Sequence, residues 1–208
     1  MQTENLILIV ILSQIKIPKQ FNCLNLLMEL FKERFYMETP NLEAVPVSRY
    51  EPIKRWIPSL IILPLALYFT LTRGQYGMID NADLVIHEAG HFFFSFFGKY
   101  IYTLGGALMQ VLLPICILWY FLSNYYRTGM QFTLLWLGQN FVNISVYAAD
   151  ARSQALPLLG GNSVYHDWHY LLGEINLLEY DQEVGYIILG IGILVFLIAL
   201  FLPLIIRD

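Results

Sequence analysis

Charge is scarce in this chain. Only 13% of its 208 residues are Asp, Glu, Lys or Arg, against 57% apolar residues and a mean hydropathy of +0.56. That balance points away from a water-soluble surface and towards a chain dissolved in lipid. The net charge of −4 comes with no long basic block, so nothing marks a nucleic-acid partner. Cysteine is almost absent: Cys23 and Cys116 stand far apart and outside any metal-type spacing. Nothing here points to a disulfide framework, and His and carboxylate are the expected metal ligands rather than thiolate. The early apolar stretch Leu6–Leu12 is too short to span a bilayer. No Lys or Arg precedes it and no small-residue cleavage site follows, which argues against a signal peptide. There is no internal repeat and no low-complexity tract.

Histidine is scarcer still, four in the whole chain, and all four fall into two compact clusters. The first is His87-Glu88-Ala89-Gly90-His91, set in an apolar run that continues through Phe92, Phe93, Phe94, Phe96 and Phe97. Two imidazoles four positions apart share one helix face and can reach a single ion, and Glu88 beside them can serve a water as general base. This is the HExxH arrangement of zinc hydrolases. The alternative is a buried helix whose His and Glu side chains satisfy one another. Each ionisable residue at the centre of a membrane helix costs about 2.5–3.5 kcal/mol on insertion scales, so three in five positions imply a task.

The second cluster is His166-Asp167-Trp168-His169. A zinc hydrolase takes three protein ligands and leaves a position for water. Asp167 is the first choice for the third ligand, then His166, then His169. The competing reading makes Asp167 a helix N-cap and Trp168 an interfacial anchor.

The apolar runs Trp56–Thr72, Ala107–Tyr120, Phe132–Tyr147 and Val184–Ile206 read as spans. With the HExxH helix they predict an all-α, polytopic membrane protein of about four to five membrane helices. The HExxH helix is expected to run from an N-cap at Asp80 or Asn81 to about Phe97. Tyr100–Gly106, alternating and glycine-ended, reads as extended. Residues 1–55 form an N-terminal arm and linker, carrying a possible short helix from Met28 and the prolines Pro40, Pro46 and Pro52; residues 56–208 form the membrane domain. Lys16, Lys19, Lys32, Arg34, Arg49, Lys54 and Arg55 precede the first long apolar run and place the N-terminus on the cytoplasmic side. Full crossing by three successive helices sets His87 and His166 near opposite faces of the bilayer. A re-entrant HExxH segment, turned back by a Tyr100–Gly106 strand, reunites them.

These residues resemble the site-2 protease-type intramembrane zinc metallopeptidases. In that family an HExxH lies on a membrane helix, and a later Asp after a proline-containing stretch completes the metal site. His87 to His91 match the first motif, the Ala89-Gly90 pair included. Leu156-Pro157-Leu158-Leu159-Gly160-Gly161 followed by His166-Asp167-Trp168 looks like a divergent second motif, with Trp168 where the family has Gly. The resemblance implies a multi-pass protein of the cell membrane that holds Zn²⁺ through His87, His91 and Asp167 or His166. It also implies Glu88 as catalytic base and a membrane protein or peptide as substrate. Asn140 or Asn143 is a further candidate, as donor to an oxyanion. Two other functions fit the same residues: a hydrolase of lipid amides or esters, and a non-catalytic metal-binding or transport protein.

Overall fold

The computed structural model describes residues 51–156 and 166–206, all within the second of the chain's two units, Ser48–Asp208. The expected N-terminal arm up to residue 50, the Pro157–Gly161 stretch and Arg207 lie outside the described residues. Among the described residues six α-helices follow a single turn at Glu51–Lys54: α1 Ile57–Leu71, α2 Met78–Phe93, α3 Lys99–Ser123, α4 Arg127–Ala149, α5 Asp167–Glu174 and α6 Asp181–Ile205. The described residues contain no strand and are all-α, as expected. Two stretches, Lys99–Ser123 and Leu178–Ile205, are long and apolar enough to cross a membrane. α1 is apolar but shorter, at 15 residues. α4 is 23 residues long but studded with amides, most of them turned inward.

α4 is the axis of the bundle, and its largest interface is with α6. The two run antiparallel along a seam of small residues seven apart, Gly185, Gly192 and Ala199, which lets the backbones approach closely. Ile62 and Ala66 of α1, Met130, Leu134 and Leu137 of α4, and Val195, Phe196 and Leu202 of α6 form one apolar core. At its far end the buried Gln131 donates to Ser59 Oγ at 3.0 Å and to the Ala199 carbonyl at 2.9 Å, tying the three helices together.

α2 and α3 build the other half of the molecule, and here the sequence reading needs two corrections. Tyr100–Gly106 is helical, the opening of α3, and no strand leads back from α2. Its paired glycines act as packing sites: a Cβ on Gly105 would stand 2.8 Å from the Gly90 carbonyl, so α2 and α3 touch backbone to backbone. α2 also begins and ends earlier than expected. Gly77 is its N-cap, held because the Asp80 carboxylate accepts the Gly77 N–H at 2.6 Å. At the other end Gly98, with φ +83°, turns the chain into α3.

The shift puts His87 and His91 in the C-terminal half of α2, beside the start of α3. Because α3 and α4 are antiparallel (Gln110 meets Asn143, Phe121 meets Gly129), the start of α3 and the end of α4 lie together. Asp167 therefore lies at the same end of the bundle as His87 and His91. α2 is also not apolar all round. Asp83, His87 and His91 face inward, whereas Phe92 and Phe93, and Phe96 and Phe97 in the following turn, are exposed.

Candidate metal centre

His87 and His91 sit one turn apart on the buried face of α2, and Asp167 opens α5 opposite them. His166 is the N-cap of that short helix: its Nδ1 accepts the His169 N–H at 3.2 Å. With the cap supplied by the preceding residue, the Asp167 side chain is free to point at α2. Asp167 Oδ2 lies 2.9 Å from His87 Nε2 and 3.2 Å from His91 Nε2. The three side chains form the one group among the described residues that could hold a metal ion.

The opposite edges of the imidazoles decide what that contact means. His91 Nδ1 lies 2.8 Å from the Tyr102 carbonyl, which only accepts, so it carries the ring's hydrogen. His87 Nδ1 lies 2.9 Å from Gln110 Oε1. Gln110 presents its oxygen because its Nε2 is drawn the other way, to Asn143 Oδ1 at 3.2 Å and Asn140 Oδ1 at 3.4 Å. Each neutral ring has one N–H and has used it. Two bare Nε2 lone pairs therefore converge on one carboxylate oxygen. A single extra proton would join one pair and leave the other facing bare. A tetrahedral Zn²⁺, with bonds of about 2.0–2.1 Å, sets its ligand atoms roughly 3.3 Å apart, so the spacing found suits it.

Tyr147 of α4 steadies Asp167 from behind. The Tyr147 hydroxyl accepts the Asp167 N–H at 3.3 Å and lies 3.5 Å from Oδ2.

Other expected ligands and donors lie elsewhere. His166 Nε2 donates to Asp150 Oδ2 at 3.4 Å, so both of its nitrogens are engaged away from the group. Burial pushes the His166 imidazole below its usual range, in keeping with a neutral ring. His169 faces the Ala151 carbonyl, 2.9 Å from Nδ1. Neither asparagine is free for an oxyanion: Asn140 donates to the Trp136 carbonyl at 3.1 Å and Asn143 to Asp80 at 2.9 Å. Glu88 is exposed on the wall of a cavity of about 1110 Å³ that His87, His91, Tyr147 and Asp167 also line.

Asp150 is a residue that the sequence does not single out. Its carboxylate accepts from Ser153 Oγ, from the N–H groups of Ala155 and Leu156, each at 2.9 Å, and from His166. It thus pins Leu156 and His166, the two ends of the intervening segment. Burial would raise its carboxyl; these hydrogen bonds outweigh burial and hold it below the usual range. An Asp followed three residues later by Ser is the sequence signal for such a role.

Comparison with known protein families, with characterised proteins and with solved structures gave no match.

Proposed function

We propose that this chain is a membrane-embedded, zinc-dependent hydrolase that cleaves peptide bonds within or beside the bilayer, in the manner of the site-2 proteases. The observation that carries the reading is the convergence of two imidazole nitrogens on one carboxylate oxygen, a group that could hold a metal ion. His87, His91 and Asp167 would hold a Zn²⁺ there, which would supply a Lewis acid for the scissile carbonyl and lower the pKa of a water towards neutrality. Glu88 follows the first ligand and opens onto the same cavity. Its carboxylate takes the proton of the attacking water and returns it to the leaving nitrogen. Tyr147 and the α5 N-terminus hold Asp167 in place throughout. In the bilayer α1, α3, α4 and α6 are the crossing helices, α2 enters from one face, and the N-terminus is cytoplasmic in the cell membrane.

The test is metal analysis of the detergent-purified protein beside its His91→Ala, Asp167→Ala and Glu88→Gln variants, with an assay on membrane-derived peptides. Wild type is expected to hold one zinc, the first two variants to lose it, and Glu88→Gln to keep it without turnover. Full activity in Glu88→Gln would remove the proposed base. Zinc loss in Glu88→Gln would favour a metal-binding or transport protein, and turnover of lipid amides or esters alone would change the substrate class.

A further inference from the structure

We propose that Asp80, which touches none of the three metal-facing residues, is a positioning residue that sets the tautomer of His87 through a one-way chain of amides. Asp80 Oδ1 accepts Asn143 Nδ2 at 2.9 Å and Gln139 Nε2 at 3.3 Å, and Oδ2 accepts the Gly77 N–H. A carboxylate only accepts. Asn143 must therefore turn its NH₂ to Asp80 and its oxygen away. That oxygen takes Gln110 Nε2 at 3.2 Å, which leaves Gln110 Oε1 for His87 Nδ1 at 2.9 Å. The hydrogen of the His87 ring is thereby drawn to Nδ1, and Nε2 is left bare for an ion.

An amide can be reversed and a carboxylate cannot, so Asp80 gives this chain its direction. A longer branch, from the Trp136 carbonyl through Asn140 to Gln110, runs the same way, with 3.4 Å at its last step. Asp80→Asn keeps the helix cap, since its oxygen can still take the Gly77 N–H. Its NH₂ then faces Asn143 and favours the reversed order, in which Gln110 Nε2 donates to His87 Nδ1 and the ring hydrogen moves to Nε2, where the ion should bind. Ligand orientation by an outer partner commonly governs metal affinity in this way. The metal consequence rests on the zinc reading above; the tautomer does not.

The experiment uses the full chain in detergent micelles, labelled with ¹⁵N-histidine and stripped by a chelator. Long-range ¹H–¹⁵N spectra are assigned against a His87→Gln variant. Wild type should show His87 protonated at Nδ1, and Asp80→Asn should shift the population towards Nε2–H. Zinc affinity by chelator competition should fall about tenfold. If Asp80→Asn does not fold, Asn143→Leu cuts the same chain one step nearer and should weaken zinc similarly. An unchanged tautomer with zinc affinity within twofold of wild type overturns the role of Asp80 while the zinc site stands. A wild type that binds no zinc removes the metal reading, and the tautomer comparison still decides the role of Asp80.

Discussion

Gly106 leaves the space that the His87 imidazole fills: a Cβ built on Gly106 would overlap the ring. The second glycine of the Gly-Gly pair in α3 is thus a wall of the metal centre. Gly106→Ala should displace His87 Nε2 from its place against Asp167 while leaving α3 helical, since Ala is the better helix former. A 1 Å displacement is enough to spoil a metal ligand, so zinc affinity should drop at least about tenfold. Zinc content after dialysis against a chelator checks this, with Gly190→Ala as control, where an added Cβ meets nothing within 4 Å.

Tyr147 bears on the same site from the other side. Tyr147→Phe keeps the ring, whose centroid lies 5.8 Å from that of His87 and 4.5 Å from that of His166, and deletes only the hydroxyl. The lost bonds to Asp167 are long, so a cost of about 0.5–1.5 kcal/mol is expected, or a factor of roughly two to ten in zinc affinity. Thermal stability of the zinc-free protein should change by less than zinc affinity does. Calorimetry with and without chelator separates the two.

How much of this was open to the sequence differs from element to element. Val184–Ile206 nearly coincides with α6, and Phe132–Tyr147 falls inside α4, because long apolar runs advertise themselves. Gly105-Gly106 misleads, since paired glycines usually break a helix; here close packing against Gly90 and His87 overrides propensity, a contact between helices that no local pattern shows. Asp167 stands out because the four histidines cluster around it and the HExxH. The same clustering draws His166 into the ligand set, although its nitrogens are taken by Asp150 and by the helix that it caps. Asp80, Gln110 and Tyr102 act across interfaces between helices, and their roles emerge only once the partners are side by side.

Asp150 gives a pH signature. Its carboxyl titrates lower in the folded protein than its ordinary value of 3.8. A depressed carboxylate stabilises the fold at pH values above its unfolded pKa, and that stabilisation is lost as pH falls through the folded pKa. The pinning of Leu156 to His166 should hold at pH 5 and loosen only below about pH 4. Hydrogen exchange at the Ala155 and Leu156 amides, compared at pH 5 and near pH 3.5 with the free-chain rate at each pH, should show protection falling at the lower pH. Asp150→Ala should leave both amides unprotected at either pH, because they lose their acceptor.

The seam between α4 and α6 should be as intolerant of bulk as the metal centre, and for a related reason. A Cβ on Gly192 would stand 3.0 Å from the Gly138 carbonyl and 3.1 Å from Phe141 Cβ, whereas one on Gly190 meets nothing within 4 Å. Gly192→Leu must part the two helices, and overpacking of this kind costs about 1–3 kcal/mol. Gly190→Leu, two residues away, adds the same side chain to an open face and should leave the melting temperature close to wild type. The effect of Gly192→Leu should not stay local. α4 carries Asn143 and Tyr147 and is capped by Asp150, and through them the orientation of His87, the seat of Asp167 and the positions of Leu156 and His166. Zinc affinity should therefore fall in Gly192→Leu even where the protein still folds. A variant that melts lower but binds zinc like wild type would show that the α4–α6 seam and the metal centre are energetically separate.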